Sequence, residues 1–301
     1  MPNEPRSRER RHAWAHERRL RTLLLATALI VGAAALAGAS QRASARAATT
    51  AGSCTSAISC GDDFNGAAGA APDPSKWVHE TGGSGWGNSE LECYTDRLAN
   101  AHQDGAGHLL IIARYEPNYR CADGNVNNYT SARLNSVWQF QYGSVELSAK
   151  LPTGHGIWPA FWAMGNDFPT VNWPKAGEID VSEVIGKQPT IDHVALHGPR
   201  GGGRGDYSLN AQLDAGADLS AAYHRYGATW TSGSISFYFD GKLVRTFTQS
   251  DIPAGGRWVF DHPFYALLNV AVGGRWPGSP DSTTFANGDQ VMTIDYVHWS
   301  Q

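Results

Sequence analysis

Beyond residue 39, this chain of 301 residues contains no long apolar run and almost no helical periodicity, which argues against a helical bundle. There are only four cysteines, and no Cys-x-x-Cys spacing or neighbouring histidine accompanies them, so the common zinc motifs are excluded. No internal repeat or appended binding module is visible. The net charge is -4, and it becomes more negative without the basic N-terminus, so we expect no nucleic-acid partner.

The N-terminus has the pattern of a secretory signal peptide, for which we predict residues 1–47. Arginines are concentrated in residues 6–21, an apolar run follows at 23–39, and small residues at 43–47 offer cleavage sites. The alternative is a membrane anchor, but small residues interrupt the run and it falls short of the about 20 residues that span a bilayer. We therefore expect a secreted protein without membrane association after cleavage; the paired arginines at 18–19 only partly match a twin-arginine signal.

The remaining sequence predicts a short linker at 48–61 and a single domain at 62–301. All four cysteines lie beyond the leader, and an oxidising compartment then favours two disulfides. Three connectivities are open on paper. Closeness in sequence favours Cys54 with Cys60, which leaves Cys93 with Cys121.

Short β-rich runs separated by Gly, Pro, Asn and Asp recur through the domain and indicate an all-β fold. Examples are residues 109–113, 145–149 and 264–268. Residues 235–247 read as a hairpin whose Asp240-Gly241 pair predicts a type I′ turn. Many such strands in one domain favour a sandwich of two sheets.

The most informative segment, residues 177–183, reads GEIDVSE. Apolar residues alternate with carboxylates, which is typical of a strand with one polar face and places Glu178 and Asp180 on that face. Glu183 has the wrong parity unless a β-bulge absorbs one residue. A helix fits less well, because its faces would not align the three carboxylates and Ile, Val and Ser are weak helix formers.

Three carboxylates on one surface repel one another, so the grouping indicates chemistry rather than stability. A retaining glycosidase needs two carboxyl groups about 5 to 5.5 Å apart, one ionised and one protonated. A flat strand would hold Glu178 and Glu183 too far apart, since each residue advances about 3.3 Å. The motif therefore predicts a concave sheet. The competing interpretation is a solvated acidic strand face.

The wider sequence resembles glycoside hydrolase family 16, and within it the bulge-containing, laminarinase-like endo-β-1,3-glucanases, from about Asp62 to the last residue. The resemblance implies a curved β-sandwich jelly roll, concanavalin A-like, with an open substrate cleft on the concave sheet. The segments that carry it are 62–66 (DDFNG), 85–90 (GWGNSE), 129–133 (YTSAR), 142–146 (YGSVE), 156–162 (GIWPAFW), 173–178 (WPKAGE), 269–274 (NVAVGG) and 294–297 (IDYV).

The resemblance also implies roles for the carboxylates. Glu178 is the expected nucleophile, and Glu183 is the acid that protonates the leaving oxygen and later deprotonates water. Asp180 is expected to tune the nucleophile. His197 matches a histidine that the family keeps near this cluster, where it would bond Asp180; a purely structural role is the alternative.

Sugar rings stack on indoles and their hydroxyls need hydrogen bonds, so a glucan cleft should mix tryptophans with polar groups. Core packing is the alternative for any tryptophan, and we expect it for Trp77, Trp230 and Trp299; it is also open for Trp162. Arg133 could instead pair with an acid such as Glu146. The residues that the resemblance assigns to substrate binding are Trp86, Asn88, Arg133, Trp158, Trp162, Trp173 and Trp276.

The resemblance implies no cofactor for catalysis and a structural calcium ion. Asp295 would supply a carboxylate, and Asp63 and Gly107 would supply backbone oxygens, a ligand set that suits a hard cation. The alternative is that Asp295 only satisfies local backbone groups.

Three sites depart from the family or invite a second interpretation. Ser182 stands where a large apolar residue is frequent, which leaves the packing behind the bulge open. Cys93 replaces a frequent aromatic residue, consistent with a disulfide. The tripeptide 204–206 (RGD) resembles an adhesion motif, but its glycine-rich context favours chance.

Together these features predict a secreted, monomeric, retaining endo-glycosidase. Its expected substrate is laminarin-like glucan with internal β-1,3-glucosidic bonds, with mixed-linkage β-1,3-1,4-glucan as an extension. A galactan hydrolase with the same mechanism is the alternative within enzymes. A non-catalytic glucan-binding lectin is the alternative outside them, and the presence of all three carboxylates argues against it.

Overall fold

The computed structural model describes residues 60–201 and 205–300. Almost all regular structure within these ranges is β, as predicted, and the single α-helix, α1, has only four residues. In chain order the elements are β1 (Cys60–Asp62), β2 (Trp77–Glu80), β3 (Glu92–Tyr94), β4 (Ala101–Gln103), β5 (Leu109–Arg120), β6 (Val126–Ser131), β7 (Arg133–Ser136), β8 (Gly143–Lys150), β9 (Ile157–Gly165), α1 (Phe168–Val171), β10 (Glu178–Glu183), β11 (Ile191–Pro199), β12 (Asp206–Asp214), β13 (His224–Thr231), β14 (Ser234–Phe239), β15 (Lys242–Thr248), a 3-10 turn (Gln249–Asp251), β16 (Phe264–Val272) and β17 (Gln290–Ser300).

The strands form two sheets that pack face to face, which confirms the predicted sandwich. In the described part of the chain, the front sheet has seven strands in the order β12-β11-β10-β9-β16-β7-β2. The back sheet has ten: its path runs β15-β14-β13-β8-β17-β5-β6-β3, with β1 paired to β17 and β4 to β5. Strand β10, which carries the acidic motif, lies inside the front sheet and is paired on both edges.

The core lies between the sheets and is rich in aromatic side chains. Trp77, Trp230 and Trp299 are 2%, 4% and 2% exposed, which confirms their predicted place in the core. Burial of such large apolar side chains stabilises each sheet against the other.

Local sequence signals located the strands well. The three example runs fall inside β5, β8 and β16. The hairpin joins β14 to β15 through Asp240 and Gly241, whose φ angles of 48° and 77° are those of the predicted type I′ turn.

The N-terminal boundary differs slightly from prediction. Strand β1 begins at Cys60, within the predicted linker, because Cys60 pairs with Trp299 of β17. The predicted signal peptide and Cys54 lie outside the described residues, so the leader and the Cys54–Cys60 disulfide stay predictions. No helix in the described ranges is long and apolar enough to cross a membrane.

A disulfide joins Cys93, in β3, to Cys121, directly after β5, as the sequence predicted. It closes a loop with a sequence separation of 28 residues. A cross-link of this kind lowers the conformational entropy of the unfolded chain. In the chain-entropy model it stabilises the folded state by roughly 3 kcal/mol.

We expect the paired substitution Cys93→Ala with Cys121→Ala to lower the free energy of unfolding by about 3 kcal/mol, measured by urea denaturation. Substitution is preferable to a reductant, which would act on every disulfide of the chain. An unfolding free energy equal to that of the unmodified protein would contradict the stabilising role of this bond.

Candidate active site

The acidic segment is the strand β10, and its register contains the predicted bulge. On one edge, pairing with β11 passes from Asp180 opposite Ala195 to Glu183 opposite His193, with a register shift between. On the other edge, pairing with β9 shifts between Asp180 and Ser182. One extra residue is thus accommodated, and Glu183 gains the parity of Glu178 and Asp180.

The bulge sorts the side chains of β10 into two sets. Ile179 and Val181 are 3% and 1% exposed and belong to the core, and Ser182 is fully buried beside them. Glu178, Asp180 and Glu183 face the opposite way, into a cleft on the outer face of the front sheet.

This cleft has a volume of about 1110 Å³, and every strand of the front sheet contributes to its lining. All the predicted catalytic and substrate-binding residues lie in it. They are Trp86, Asn88, Arg133, Trp158, Trp162, Trp173, Glu178, Asp180, Glu183, His197 and Trp276.

The two glutamates sit in different electrostatic surroundings. Burial, followed by the charges of Asp180 and Glu178, raises the pKa of Glu183 well above its usual range. Burial and Asp180 also raise the pKa of Glu178, against the charges of His197 and Arg133 and a hydrogen bond from Trp173. His197 and a hydrogen bond from Trp158 oppose the rise for Glu183 too, but Glu183 has two acidic neighbours and lacks the contribution of Arg133. Glu178 therefore ionises first, while Glu183 keeps its proton.

His197 lies among three carboxylates. Its Nε2 is 3.3 Å from Asp180 Oδ2 and 4.0 Å from Glu178 Oε1, and its Nδ1 is 3.3 Å from Asp206 Oδ2. Burial alone would lower the pKa of His197, but hydrogen bonds with Asp180 and Asp206 and the charge of Glu178 raise it to about 10. The ring is therefore an imidazolium at neutral pH, a cation beside the nucleophile candidate.

On the other side of the cluster, aromatic side chains surround Glu183. Trp158 Nε1 donates a 3.0 Å hydrogen bond to Glu183 Oε1. Trp276 packs edge-on against both Trp158 and His193, at centroid distances of 5.3 and 5.0 Å. Trp276 is 38% exposed, so part of its indole remains available to a sugar ring.

Arg133 forms part of the cleft floor. Its Nε pairs with a carboxylate oxygen of Glu80, and its guanidinium lies over the rings of Trp86 and Trp162 at 4.8 and 4.7 Å. Arg133 therefore does pair with an acid, the predicted alternative, but the acid is Glu80. Glu146 belongs to β8 of the back sheet, where it accepts a hydrogen bond from Tyr296. Trp162 is likewise a floor residue of the cleft.

A chain of hydrogen bonds runs beneath this floor. Trp162 Nε1 donates to Asn269 Oδ1 at 2.7 Å, and Asn269 Nδ2 donates to the Tyr94 hydroxyl at 3.1 Å. Tyr94 in turn donates to Glu90, which also accepts a bond from Asn88 Nδ2, both at 3.2 Å. These bonds fix the orientation of two predicted substrate-binding residues, Trp162 and Asn88.

The sequence analysis missed several cleft residues. His193 lies four residues before His197 in β11, and an even offset places both side chains on one face of the strand. That offset is the sequence signal that could have suggested His193. Asp206 was set aside with its glycine-rich tripeptide. The missed polar residues closest to the predicted site are Glu80, Glu90, His193, Asp206 and Asn269.

Comparisons with known proteins agree with this geometry. The model of the family "Glycosyl hydrolases family 16" matches residues 95–298. The chain belongs to this family. It is 37% identical over 238 residues to a beta-glucanase of Rhodothermus marinus, covering 75% of this chain and 79% of that protein. A glucan endo-1,3-beta-glucosidase of Cryptopygus antarcticus is 36% identical over 255 residues, or 78% and 88% of the two chains.

Among solved structures, the laminarinase catalytic domain of Thermotoga maritima superposes with a TM-score of 0.70 at 38% identity, covering 81% of this chain and 97% of that one. The predicted family and jelly-roll fold are therefore confirmed. This chain is therefore a glycoside hydrolase. Hydrolases of family 16 need no catalytic cofactor.

We expect His197→Gln to move the acidic limb of the kcat/KM profile to higher pH, by about one unit. The imidazolium lowers the pKa of Glu178, so its removal leaves Glu178, the predicted nucleophile, protonated up to a higher pH. His193→Gln is the matched control on the same strand, because burial lowers the pKa of His193 and keeps it neutral. An acidic limb that stays in place in His197→Gln would contradict this electrostatic role.

Proposed function

We propose that this protein is a secreted, retaining endo-glycosidase that hydrolyses internal β-1,3-glucosidic bonds of laminarin-like glucans. The observation that carries the proposal is the convergence of Glu178, Asp180 and Glu183 in one cleft lined by tryptophans. The relatives named as glucan endo-1,3-beta-glucosidase and laminarinase support the choice of glucan. A cleft that crosses all seven front strands suits a long polymer bound along its interior rather than at its end.

In the first step, the Glu178 carboxylate attacks the anomeric carbon of the bound glucosyl unit. The bond from that carbon to the glycosidic oxygen breaks, and the proton of Glu183 passes to this oxygen. The product of this step is a glucosyl ester of Glu178, with Glu183 now ionised. His197 and Arg133 stabilise the negative charge of Glu178 before the attack.

In the second step, Glu183 takes a proton from a water molecule, whose oxygen attacks the same anomeric carbon. The ester bond breaks, Glu178 regains its negative charge, and Glu183 regains its proton. Two inversions at one carbon leave the β configuration unchanged. Trp158, bonded to Glu183, holds the acid/base group toward the reacting oxygen in both steps.

We expect Glu178→Ala and Glu183→Ala each to reduce hydrolysis of laminarin by at least about a thousandfold, while binding of laminarin stays measurable by calorimetry. Each group acts in the transition state and not in recognition of the polymer. Glu146→Ala, in the back sheet, is the matched control and should hydrolyse laminarin at the wild-type rate. Activity that survives in either cleft variant would remove its assignment.

Substrate identity is tested by the products that the wild-type protein forms from laminarin, mixed-linkage β-glucan and agarose, with their anomeric configuration followed by proton NMR. Short β-configured oligosaccharides from laminarin are the expected result. Cleavage of agarose alone would keep the mechanism and overturn the substrate. Binding without cleavage of any polymer would overturn the hydrolase in favour of a glucan-binding protein.

We also propose that a structural calcium ion binds beside β17. Pairing of β5 with β17 reaches Ile294, and pairing of β1 with β17 begins at Val297. Gly107 lies just before the start of β5, and Asp63 directly follows the end of β1. Asp295 lies between the points where these two strands meet β17, so the three predicted ligand residues belong to one region. Asp295 also sits at the register shift between β17 and β8, where its Oδ2 accepts a 3.0 Å bond from Ser148.

We expect calcium at about a hundredfold excess over its dissociation constant to raise the midpoint of thermal unfolding by about 5 to 10 °C relative to the chelated protein. Asp295→Ala should abolish this shift, whereas Asp289→Ala, in the preceding loop, should keep it. Equal midpoints with and without calcium in the wild-type protein would overturn the proposed site.

A further inference from the structure

The bulge in β10 turns two successive side chains into the core, and the second of them is polar. Ser182 is fully buried, and its Oγ donates a 2.6 Å hydrogen bond to Oδ1 of Asp192, which is 1% exposed. A buried hydroxyl and a buried carboxyl group are each unfavourable unless they are hydrogen-bonded. The two groups therefore depend on each other.

The position of this pair relates it to Glu183. Ser182 directly precedes Glu183 in β10, and Asp192 directly precedes His193 in β11. Glu183 and His193 are themselves paired across the two strands. Between Asp180 and Glu183 the regular register of these strands is interrupted. The side-chain bond thus joins β10 to β11 where the bulge disturbs their main-chain pairing.

The backbone of Glu183 pairs with His193 of β11 and Ala160 of β9, and one side-chain hydrogen bond restrains its carboxyl group. Trp158 Nε1 is the hydrogen-bond donor that the described structure provides to its carboxyl group, and Trp158 belongs to β9 on the opposite edge. Because the register is interrupted immediately before the Glu183–His193 pair, the Ser182–Asp192 hydrogen bond is a second tie between β10 and β11 next to Glu183, on the side of the cleft where His193 and His197 lie.

The chemical state of Asp192 fits this position. Burial, opposed by the hydrogen bond from Ser182, raises the pKa of Asp192 to about 8, so the neutral form predominates at pH 7 and the pair adds no negative charge behind the cleft. From the facing sheet, Tyr226 of β13 is buried nearby, and its hydroxyl has no partner among residues 60–201 and 205–300. An acceptor without charge is what Ser182 needs in this apolar interior.

We propose that Ser182 and Asp192 are positioning residues that hold the bulge of β10, and through it the acid/base group Glu183, in the geometry needed for proton transfer to the glycosidic oxygen. This inference rests on the proposed hydrolase function. It predicts a defect confined to reactions that need the proton of Glu183.

Two substrates separate this role from a general contribution to the fold. Laminarin has a sugar leaving group, which must be protonated by Glu183 as the bond breaks. Dinitrophenyl β-laminaribioside releases a stable phenolate that needs no proton, so its kcat/KM reports nucleophilic attack alone. Since both are assayed on one preparation, the ratio of the two kcat/KM values does not depend on how much of the protein is folded.

We expect Ser182→Ala and Asp192→Ala to lower kcat/KM on laminarin about tenfold, and to leave that on the aryl substrate within about twofold of wild type. Asp192→Asn keeps a neutral oxygen acceptor of the same shape, and should retain the wild-type ratio. The double alanine variant should show no larger change of ratio than either single variant, because the pair acts as a unit.

Ser136→Ala is the matched control. Ser136 is a buried serine of β7 in the same sheet, bonded to the Trp138 carbonyl oxygen at 2.7 Å and far along the sheet order from β10. Its ratio should equal that of the wild-type protein.

Equal losses on both substrates in Ser182→Ala would reduce the pair to a packing role, and unchanged rates on both would show that Glu183 is placed without it. Either result overturns the proposal. A wild-type protein inactive on both substrates would instead overturn the proposed function itself, a pattern that no failure of the Ser182–Asp192 pair alone produces.

Discussion

The active centre depends on one extra residue in β10. With strict alternation, Glu183 would point into the core and Ser182 into the cleft; the register shift reverses both. The surrounding sheet makes the bulge tolerable, because β9 and β11 pair with β10 on either side of it. A bulge in an interior strand disrupts the main-chain hydrogen bonds locally. Such bulges occur where they change the direction of a functional side chain.

The bulge aligns three carboxyl groups that would repel one another if all were ionised. Two features of the cleft reduce this repulsion. His197 supplies a positive charge that Asp180 and Asp206 maintain by raising its pKa to about 10. Glu183 stays neutral because burial and the charges of Asp180 and Glu178 raise its pKa well above the usual range, against the opposing charge of His197. The pKa values of Glu178 and Glu183 thus differ along one strand, which supports the proposed roles of Glu178 as nucleophile and Glu183 as acid.

Features encoded within a few residues could be predicted from the sequence: the bulge from parity in residues 178–183, the hairpin from Asp240-Gly241, and the strand runs from their period. The partners of individual side chains could not. Glu80 reaches Arg133 because β2 pairs with β7, and Asp206 reaches His197 because β12 lies beside β11. Such contacts depend on the register between strands, which hydrophobic pattern alone does not specify.

Ser182 shows how the catalytic and structural demands meet at one position. A sequence with perfect alternation would place an apolar residue at each inward site, yet the bulge gives β10 two consecutive inward sites. The second inward site holds the hydroxyl of Ser182, which donates a hydrogen bond to Asp192. An apolar side chain could fill the same space without a partner, but it would not tie β10 to β11 at the one point where their pairing is interrupted. The polar pair thus exchanges some hydrophobic burial for a directional constraint next to Glu183, the proposed acid/base residue.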